Sequence, residues 1–172
     1  MSTTVNHYAL RQLPYRDGVV YGPIQSRRVG SSLGINLCPN DVRVCSFDCV
    51  YCQFPKRPPV PDWKKSGQTL LRAPKLLDVI GQGIRDRIDH QVQFDSITLS
   101  GNGDPSIHPD LLAVCRFLHD FVQQTGCEAV TTIFTDAAIY DDPVFIEALK
   151  LLDRRFVKLD AADEETFIAI NR

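Results

Sequence analysis

The sequence lacks the features that mark several large classes of protein. It has no basic excess, since 19 lysines and arginines face 21 aspartates and glutamates and the net charge is -2. Nucleic acid is therefore not indicated as a partner. No stretch approaches about 18 consecutive apolar residues, and the N-terminus has no apolar signal-peptide core. We expect a soluble, cytoplasmic protein without a membrane partner.

Cysteine is present, but not in the pattern of a disulfide framework. Three of the six cysteines, Cys45, Cys49 and Cys52, fall within eight positions, and no fourth follows closely. The other three lie in apolar or strand-like surroundings: Cys38, Cys115 and Cys127. Bunched thiols of this kind indicate metal ligation or catalysis in a reducing compartment.

The hydrophobic pattern predicts one α/β domain. With 172 residues and 44% hydrophobic side chains, the chain can bury a real core. Strand-like runs alternate with amphipathic helical patterns, which predicts a parallel sheet built from βα repeats. The strand candidates are residues 32–38, 94–101, 128–136 and 155–161, and the helical patterns are residues 74–88, 109–126 and 142–154.

Two segments fall outside this alternation. Residues 1–28 are interpreted as a polar N-terminal arm, which leaves residues 29–172 as the core domain. Residues 56–68 are rich in proline and lysine, and we expect a loop without regular structure there.

Polar and reactive residues follow each of the predicted strands. In a parallel sheet the loops after the strands gather at one rim, where ligands bind. The stretches expected at this rim are 45–52, 100–106, 135–138 and 158–163.

Three thiolates with the spacing of Cys45, Cys49 and Cys52 can hold one face of an iron-sulfur cubane. Each would bind one iron, and the fourth iron would lack a protein ligand and be open to a small chelating molecule. Structural zinc sites and ordinary cluster carriers need four ligands. A zinc-binding interaction module or an iron-sulfur electron-transfer protein that also uses Cys38 therefore stays an alternative.

The stretch CSFDCVYC (45–52) resembles the cluster motif of the radical S-adenosylmethionine (radical SAM) superfamily. SGNGDPSIHP (100–109) resembles that family's glycine-rich loop, although Asn102 and Asp104 replace the commoner glycine and glutamate. GPIQSRRVGSSLGINLCP (22–39) resembles a branch of the family that is often labelled Fe-S oxidoreductases. The similarity runs from about Gly22 to Arg172.

This resemblance implies an oxidoreductase-like enzyme with a 4Fe-4S cluster on Cys45, Cys49 and Cys52 as its metal site. The open iron would be chelated by S-adenosylmethionine (SAM), whose reductive cleavage gives a 5'-deoxyadenosyl radical that takes hydrogen from an unknown substrate. A reductant such as flavodoxin or ferredoxin is implied as a partner, and no catalytic residue is assigned. The implied SAM-binding residues are Tyr51, Ser100, Gly101, Asn102, Gly103, Asp104 and Pro105.

Four further charged residues have both a functional and a structural interpretation. Arg27 and Arg28 are either solvated charges or groups that bind near the cluster. Lys158 and Asp160 alternate along the last predicted strand, so they form either a functional pair or an ordinary structural ion pair.

The resemblance also implies a fold, a partial TIM-like barrel. This chain supplies about four strands and the start of another helix, fewer than that barrel contains. We therefore expect an apparently truncated barrel, a fragment, or a subunit completed by another chain.

Overall fold

The computed structural model describes residues 12–55, 59 and 70–172. Within them, five strands form one sheet in chain order. β1 pairs antiparallel with β2, and the remaining pairs are parallel. The strands are β1 (Val20–Ser26), β2 (Gly30–Ile35), β3 (Ser96–Leu99), β4 (Val130–Thr135) and β5 (Arg154–Val157).

A helix follows each parallel strand in the chain. These helices are α1 (Lys75–Asp89), α2 (Leu111–Thr125), α3 (Pro143–Lys150) and α4 (Glu164–Asn171), and a short 3-10 helix (Pro105–Ile107) precedes α2. The α/β fold with a mostly parallel sheet is therefore confirmed. The loop expected at residues 56–68 lies outside the described residues, except for Pro59.

Strand β1 was not among the predicted strands, because it lies in the stretch assigned to the polar arm. Its sequence VYGPIQS contains Gly-Pro, and proline removes a ladder donor. The structure accommodates Pro23 because β1 lies at the edge of the sheet, with a register shift between Tyr21 and Ile24. The sheet thus has five described strands rather than four, and their pairing does not by itself establish a partial TIM-like barrel.

The core lies between the sheet and α1, α2 and α3. Alternate residues of β2, β3 and β4 point to the helices, as the two-residue period of a strand requires. Leu33, Ile35, Ile97, Leu99 and Ile133 are all fully buried there. This packing fixes the sheet on one side and leaves its carboxyl rim available for polar loops.

None of the helices in the described part of the chain is long and apolar enough to cross a membrane.

Helix α3 supplies a test of local stability. Asp142 accepts hydrogen bonds from the backbone N–H of Val144 at 2.7 Å and of Phe145 at 3.3 Å, and so caps the helix. We expect Asp142→Ala to lower the free energy of unfolding by about 1 kcal/mol in urea denaturation. Asp141→Ala, next to it but outside the cap, is the control. Equal effects of the two variants would contradict the capping role.

Candidate functional site

A cavity of about 650 Å³ lies where the loops after β2, β3, β4 and β5 meet. We name residues 43–54 the cysteine loop and residues 100–106 the glycine loop. Both contribute to the cavity, together with the ends of β4 and β5. The lining residues are Arg28, Arg43, Cys45, Phe47, Cys49, Tyr51, Cys52, Gly103, Asp104, Phe134, Thr135, Asp136, Phe156, Val157, Lys158, Leu159 and Asp160.

The structure brings the thiols of Cys45, Cys49 and Cys52 to this one cavity, each half-buried. Cys45 Sγ lies 3.6 Å from Asp136 Oδ2. Cys49 Sγ accepts a hydrogen bond from Lys158 Nζ at 2.9 Å. A different polar or charged group therefore stands beside each of these two sulfurs.

Cys52 lies beside an arginine that the sequence did not single out. The Arg43 side chain is only 3% exposed and forms an ion pair with Asp48 in the same loop. Burial alone would lower the pKa of Arg43, but hydrogen bonding to Cys52 and to Asp48 raises it. The guanidinium therefore stays charged inside the loop that carries the thiols.

Lys158 links the end of β5 to the cysteine loop. Its ammonium lies 3.1 Å from Asp160 Oδ2 and 5.1 Å from the centre of the Phe47 ring. Burial lowers the pKa of Lys158, but the hydrogen bonds to Cys49 and Asp160 outweigh it and hold the pKa above its usual value. Lys158 and Asp160 are thus an ion pair, and that pair lies directly against a cysteine.

Tyr51 lies at the mouth of the cavity and is 40% exposed. Its hydroxyl donates to Asp160 Oδ2 at 2.7 Å, and the Lys158 ammonium lies 5.7 Å from the ring centre. Burial and the hydrogen bond to Asp160 raise the pKa of Tyr51. One face of its ring therefore packs near a cation, and its hydroxyl is already engaged within the protein.

Helix α4 closes over the cysteine loop. Asn171, which is fully buried, accepts hydrogen bonds on Oδ1 from Lys158 Nζ at 2.6 Å and from Cys49 Sγ at 3.2 Å. The backbone carbonyl of Asn171 accepts a hydrogen bond from the backbone N–H of Asp48 at 2.8 Å. Sequence reasoning missed Asn171, because nothing in the local pattern of α4 connects it with cysteines far upstream.

The glycine loop holds the cysteine loop through backbone contacts. Val44 N–H donates to the Asn102 carbonyl at 3.2 Å, and Asp104 N–H donates to the Val44 carbonyl at 2.9 Å. A Cβ on Gly103 would lie 1.7 Å from the Val44 carbonyl oxygen. Only glycine lets the two loops approach this closely.

The preceding residues of the glycine loop are engaged in structural contacts. Asn102 is fully buried, and its Nδ2 donates to the carbonyls of Arg16 at 2.9 Å and Pro39 at 2.8 Å. A Cβ on Gly101 would lie 2.2 Å from Asn36 Oδ1. Of the six residues from Ser100 to Pro105 for which SAM contacts were predicted, Gly103 and Asp104 line the cavity.

Asp104 is almost fully buried and joins the glycine loop to the end of β4. Its carboxylate accepts from Ser106 N–H at 2.8 Å, from Thr135 Oγ1 at 2.9 Å and from Asp136 N–H. Burial, and then the charge of Asp104, raises the pKa of Asp136 to about 6. Asp104 therefore positions its neighbours, while Asp136 is the carboxyl group near Cys45.

The remaining cysteines lie elsewhere. Cys38 lines two other cavities, and its Sγ lies 3.8 Å from the Val44 carbonyl. Burial raises the pKa of Cys38 and also raises that of Cys115, which lies in the core, to about 12. Cys127 packs against the same core. Within the described residues, no group of three His, Cys, Asp or Glu side chains converges tightly enough to hold a single metal ion.

Arg28 and two phenylalanines also line the cavity. The rings of Phe134 and Phe156 stack with their centres 4.8 Å apart and an interplanar angle of 16°. The Arg28 guanidinium lies 5.9 Å from the centre of the Phe134 ring. Arg27, its neighbour in the chain, is exposed and does not line the cavity.

The chain is similar to proteins that carry the name UPF0026. One from Helicobacter pylori is 27% identical over 154 residues, which are 90% of this chain and 46% of that protein. One from Synechocystis is 32% identical over 153 residues, which are 89% of this chain and 52% of that protein. A protein named GTPase Obg from Brachyspira hyodysenteriae is 27% identical over 153 residues, 20% of its own length. The chain thus spans about half the length of the UPF0026 proteins it matches.

These comparisons correct the expected family. No family model matches the chain, and the relatives from Helicobacter pylori and Synechocystis carry the UPF0026 name, so the identification with the radical SAM superfamily was wrong. That identification was read from motifs at residues 22–39, 45–52 and 100–109 and was taken to extend from about Gly22 to Arg172. The similarity to the Helicobacter pylori relative covers 90% of the chain.

The contact between the two loops can be tested at Gly103. We expect Gly103→Ala to lower the free energy of unfolding by roughly 1–3 kcal/mol, because a methyl group must displace the Val44 carbonyl. It should also speed the reaction of the cysteine-loop thiols with a disulfide reagent. Gly126→Ala, at φ +65° but with no atom near the added methyl, is the control for backbone strain alone. Unchanged thiol reactivity in Gly103→Ala would contradict the docking role.

Proposed function

We propose that Cys45, Cys49 and Cys52 hold a 4Fe-4S cluster whose fourth iron binds SAM, and that the chain is an enzyme or part of one. The observation that carries the proposal is that these three thiols line one cavity while Cys38 lines others. Three thiolates leave one iron of a cubane open, whereas zinc modules and electron carriers are closed by four ligands.

The donor set fits a cluster better than it fits one ion. A single ion needs all its ligands within about 2.3 Å of one point. In a cubane each cysteine binds a different iron, so the three thiols need a common cavity rather than a common point. The cavity of about 650 Å³ leaves room for a second molecule beside the thiols.

The charges around the thiols suit an anionic group. Arg43 and Lys158 lie next to Cys52 and Cys49, where N–H donors can bind sulfur and offset negative charge. Burial raises the pKa of Cys45 to about 12, so its thiol is protonated at neutral pH and metal binding would release that proton. Phe47 and Phe134 are apolar neighbours that limit water at the site.

A cluster held by these thiols would supply the electron for reductive cleavage of bound SAM, and through it the means to remove hydrogen from a substrate. In the protein, the backbone of Gly103 faces the cavity without a side chain and lets a ligand approach closely. Asp136 offers a carboxyl group to the N–H of an amino group, and Tyr51 offers a flat ring to an adenine.

The proposal also extends to the complete fold of which this sheet is a part. We infer that the sheet is one part of a TIM-like partial barrel. Support comes from the outer edge of β5, which pairs with no described strand, and from the greater length of the relatives. The thiols must stay reduced, and an electron donor such as a flavodoxin or ferredoxin must reach them, so the proposal assigns the protein to the cytoplasm.

The ligand assignment predicts different behaviour for the four cysteines nearest the site. After anaerobic iron-sulfur reconstitution, Cys45→Ala, Cys49→Ala and Cys52→Ala should each lose most of the bound iron and the brown colour, because two thiolates do not secure a cubane. Cys38→Ala is the matched control and should keep both. The iron content is measured by chemical analysis and the brown colour by visible absorption. Equal loss in all four variants would indicate four ligands, and a colourless zinc protein would reject the cluster.

The open iron predicts a response to SAM. Adding SAM to the reduced, reconstituted protein should change its electron paramagnetic resonance spectrum, because an amino and a carboxylate group would bind one iron of the four. S-adenosylhomocysteine, which lacks the sulfonium methyl group, is the control for cleavage and should yield no 5'-deoxyadenosine. A spectrum unaffected by saturating SAM would favour an electron carrier.

A further inference from the structure

One wall of the cavity is aromatic and lies apart from the groups that contact the thiols. Phe134 and Phe156 are paired across β4 and β5 and stack at 4.8 Å, and both rings are half-buried. Val157 and Leu159 also line the cavity and are 53% and 85% exposed. Flat apolar surfaces of this kind suit the face of a planar ring.

Arg28 adds a positive charge to the same wall. The other two cations of the cavity are engaged, since Arg43 pairs with Asp48 and Lys158 pairs with Asp160. Arg28 forms no ion pair with any described residue, and its exposed guanidinium lies 5.9 Å from the centre of the Phe134 ring. A planar guanidinium placed beside an aromatic ring can bind an anion in two-pronged fashion while it stays in contact with the ring.

SAM leaves this cation without a partner. In the proposed function, the only anionic group of SAM is a carboxylate that binds the open iron, and its sulfonium and adenine carry no negative charge. The guanidinium of Arg28 is therefore available to an anionic group of a second molecule in the same cavity. That second molecule is the substrate, so the inference rests on the proposed function.

We propose that Arg28, Phe134 and Phe156 form the substrate site and select a small molecule that carries a carboxylate or phosphate on a planar ring. Arg28 binds the anionic group, and the ring lies against the stacked phenylalanines.

The site can be tested on the cluster-free, 172-residue chain. The probes are 2-naphthoate and 2-naphthyl phosphate, with 2-naphthamide as the neutral ring and cyclohexanecarboxylate as the anion without an aromatic ring. Affinities are measured by saturation-transfer NMR titration. We expect both anionic naphthyl probes to bind roughly tenfold more tightly than either control, as loss of one charged contact or one stacked ring predicts. Whichever of the two anionic probes binds more tightly identifies the preferred anionic group.

Two neighbouring arginines provide matched variants. Arg28→Gln should reduce the affinity for 2-naphthoate to that for 2-naphthamide, whereas Arg27→Gln should leave it unchanged, because Arg27 does not line the cavity. Phe156→Leu should lower the affinities for 2-naphthoate and 2-naphthamide by similar factors. Equal losses in the two arginine variants, no preference for the anionic ring, or no binding of any probe would overturn the proposal.

A second measurement separates this inference from the proposed function. In the reconstituted protein saturated with SAM, 2-naphthoate should bind with unchanged affinity and leave the SAM-dependent spectrum in place. Displacement of SAM by 2-naphthoate would show that the wall belongs to the SAM site and would overturn the assignment to substrate. If no cluster forms, the proposed function fails, while the measurements on the cluster-free chain still decide whether Arg28 and the phenylalanines bind an anionic ring.

Discussion

Backbone contact between the cysteine loop and the glycine loop is the constraint on which the site depends. Val44 is held on both sides, by the Asn102 carbonyl and by Asp104 N–H, and the approach leaves no space for a side chain at position 103. The glycine loop is in turn attached to the end of β4 through the Asp104 carboxylate. The position of the thiols therefore follows from the packed sheet, even though the cysteine loop has almost no regular structure of its own.

Charged groups are distributed unevenly around the three thiols. Cys49 and Cys52 each have a cation beside them, and Cys45 faces Asp136, a carboxyl group whose pKa is raised by burial. The cations are already balanced by Asp160 and Asp48. This arrangement keeps the charges fixed in place in the absence of a ligand, so that a bound anionic group would meet donors that need little rearrangement.

Sequence reasoning predicted the regular part of the fold and missed what depends on distant contacts. The alternation of apolar runs and helical periods identified β2 to β5 and α1 to α3. Of these, β2, β3, β4 and the three helices each bury one face against the same core. It missed β1, whose Gly-Pro pair argues against a strand except at a sheet edge. It also missed Arg43 and Asn171, since a buried arginine and a helix-terminal asparagine have no local signal in the sequence. The motifs led to the wrong family.

The contact between Cys49 and Asn171 joins residues that are 122 positions apart. Tyr51 and Asp160, 109 positions apart, make a second contact of the same range. During synthesis the cysteine loop therefore leaves the ribosome long before α4 and the end of β5 exist, and it cannot acquire these partners until they have been made. In the growing chain its thiols therefore stay without these partners until 109 to 122 further residues have been added.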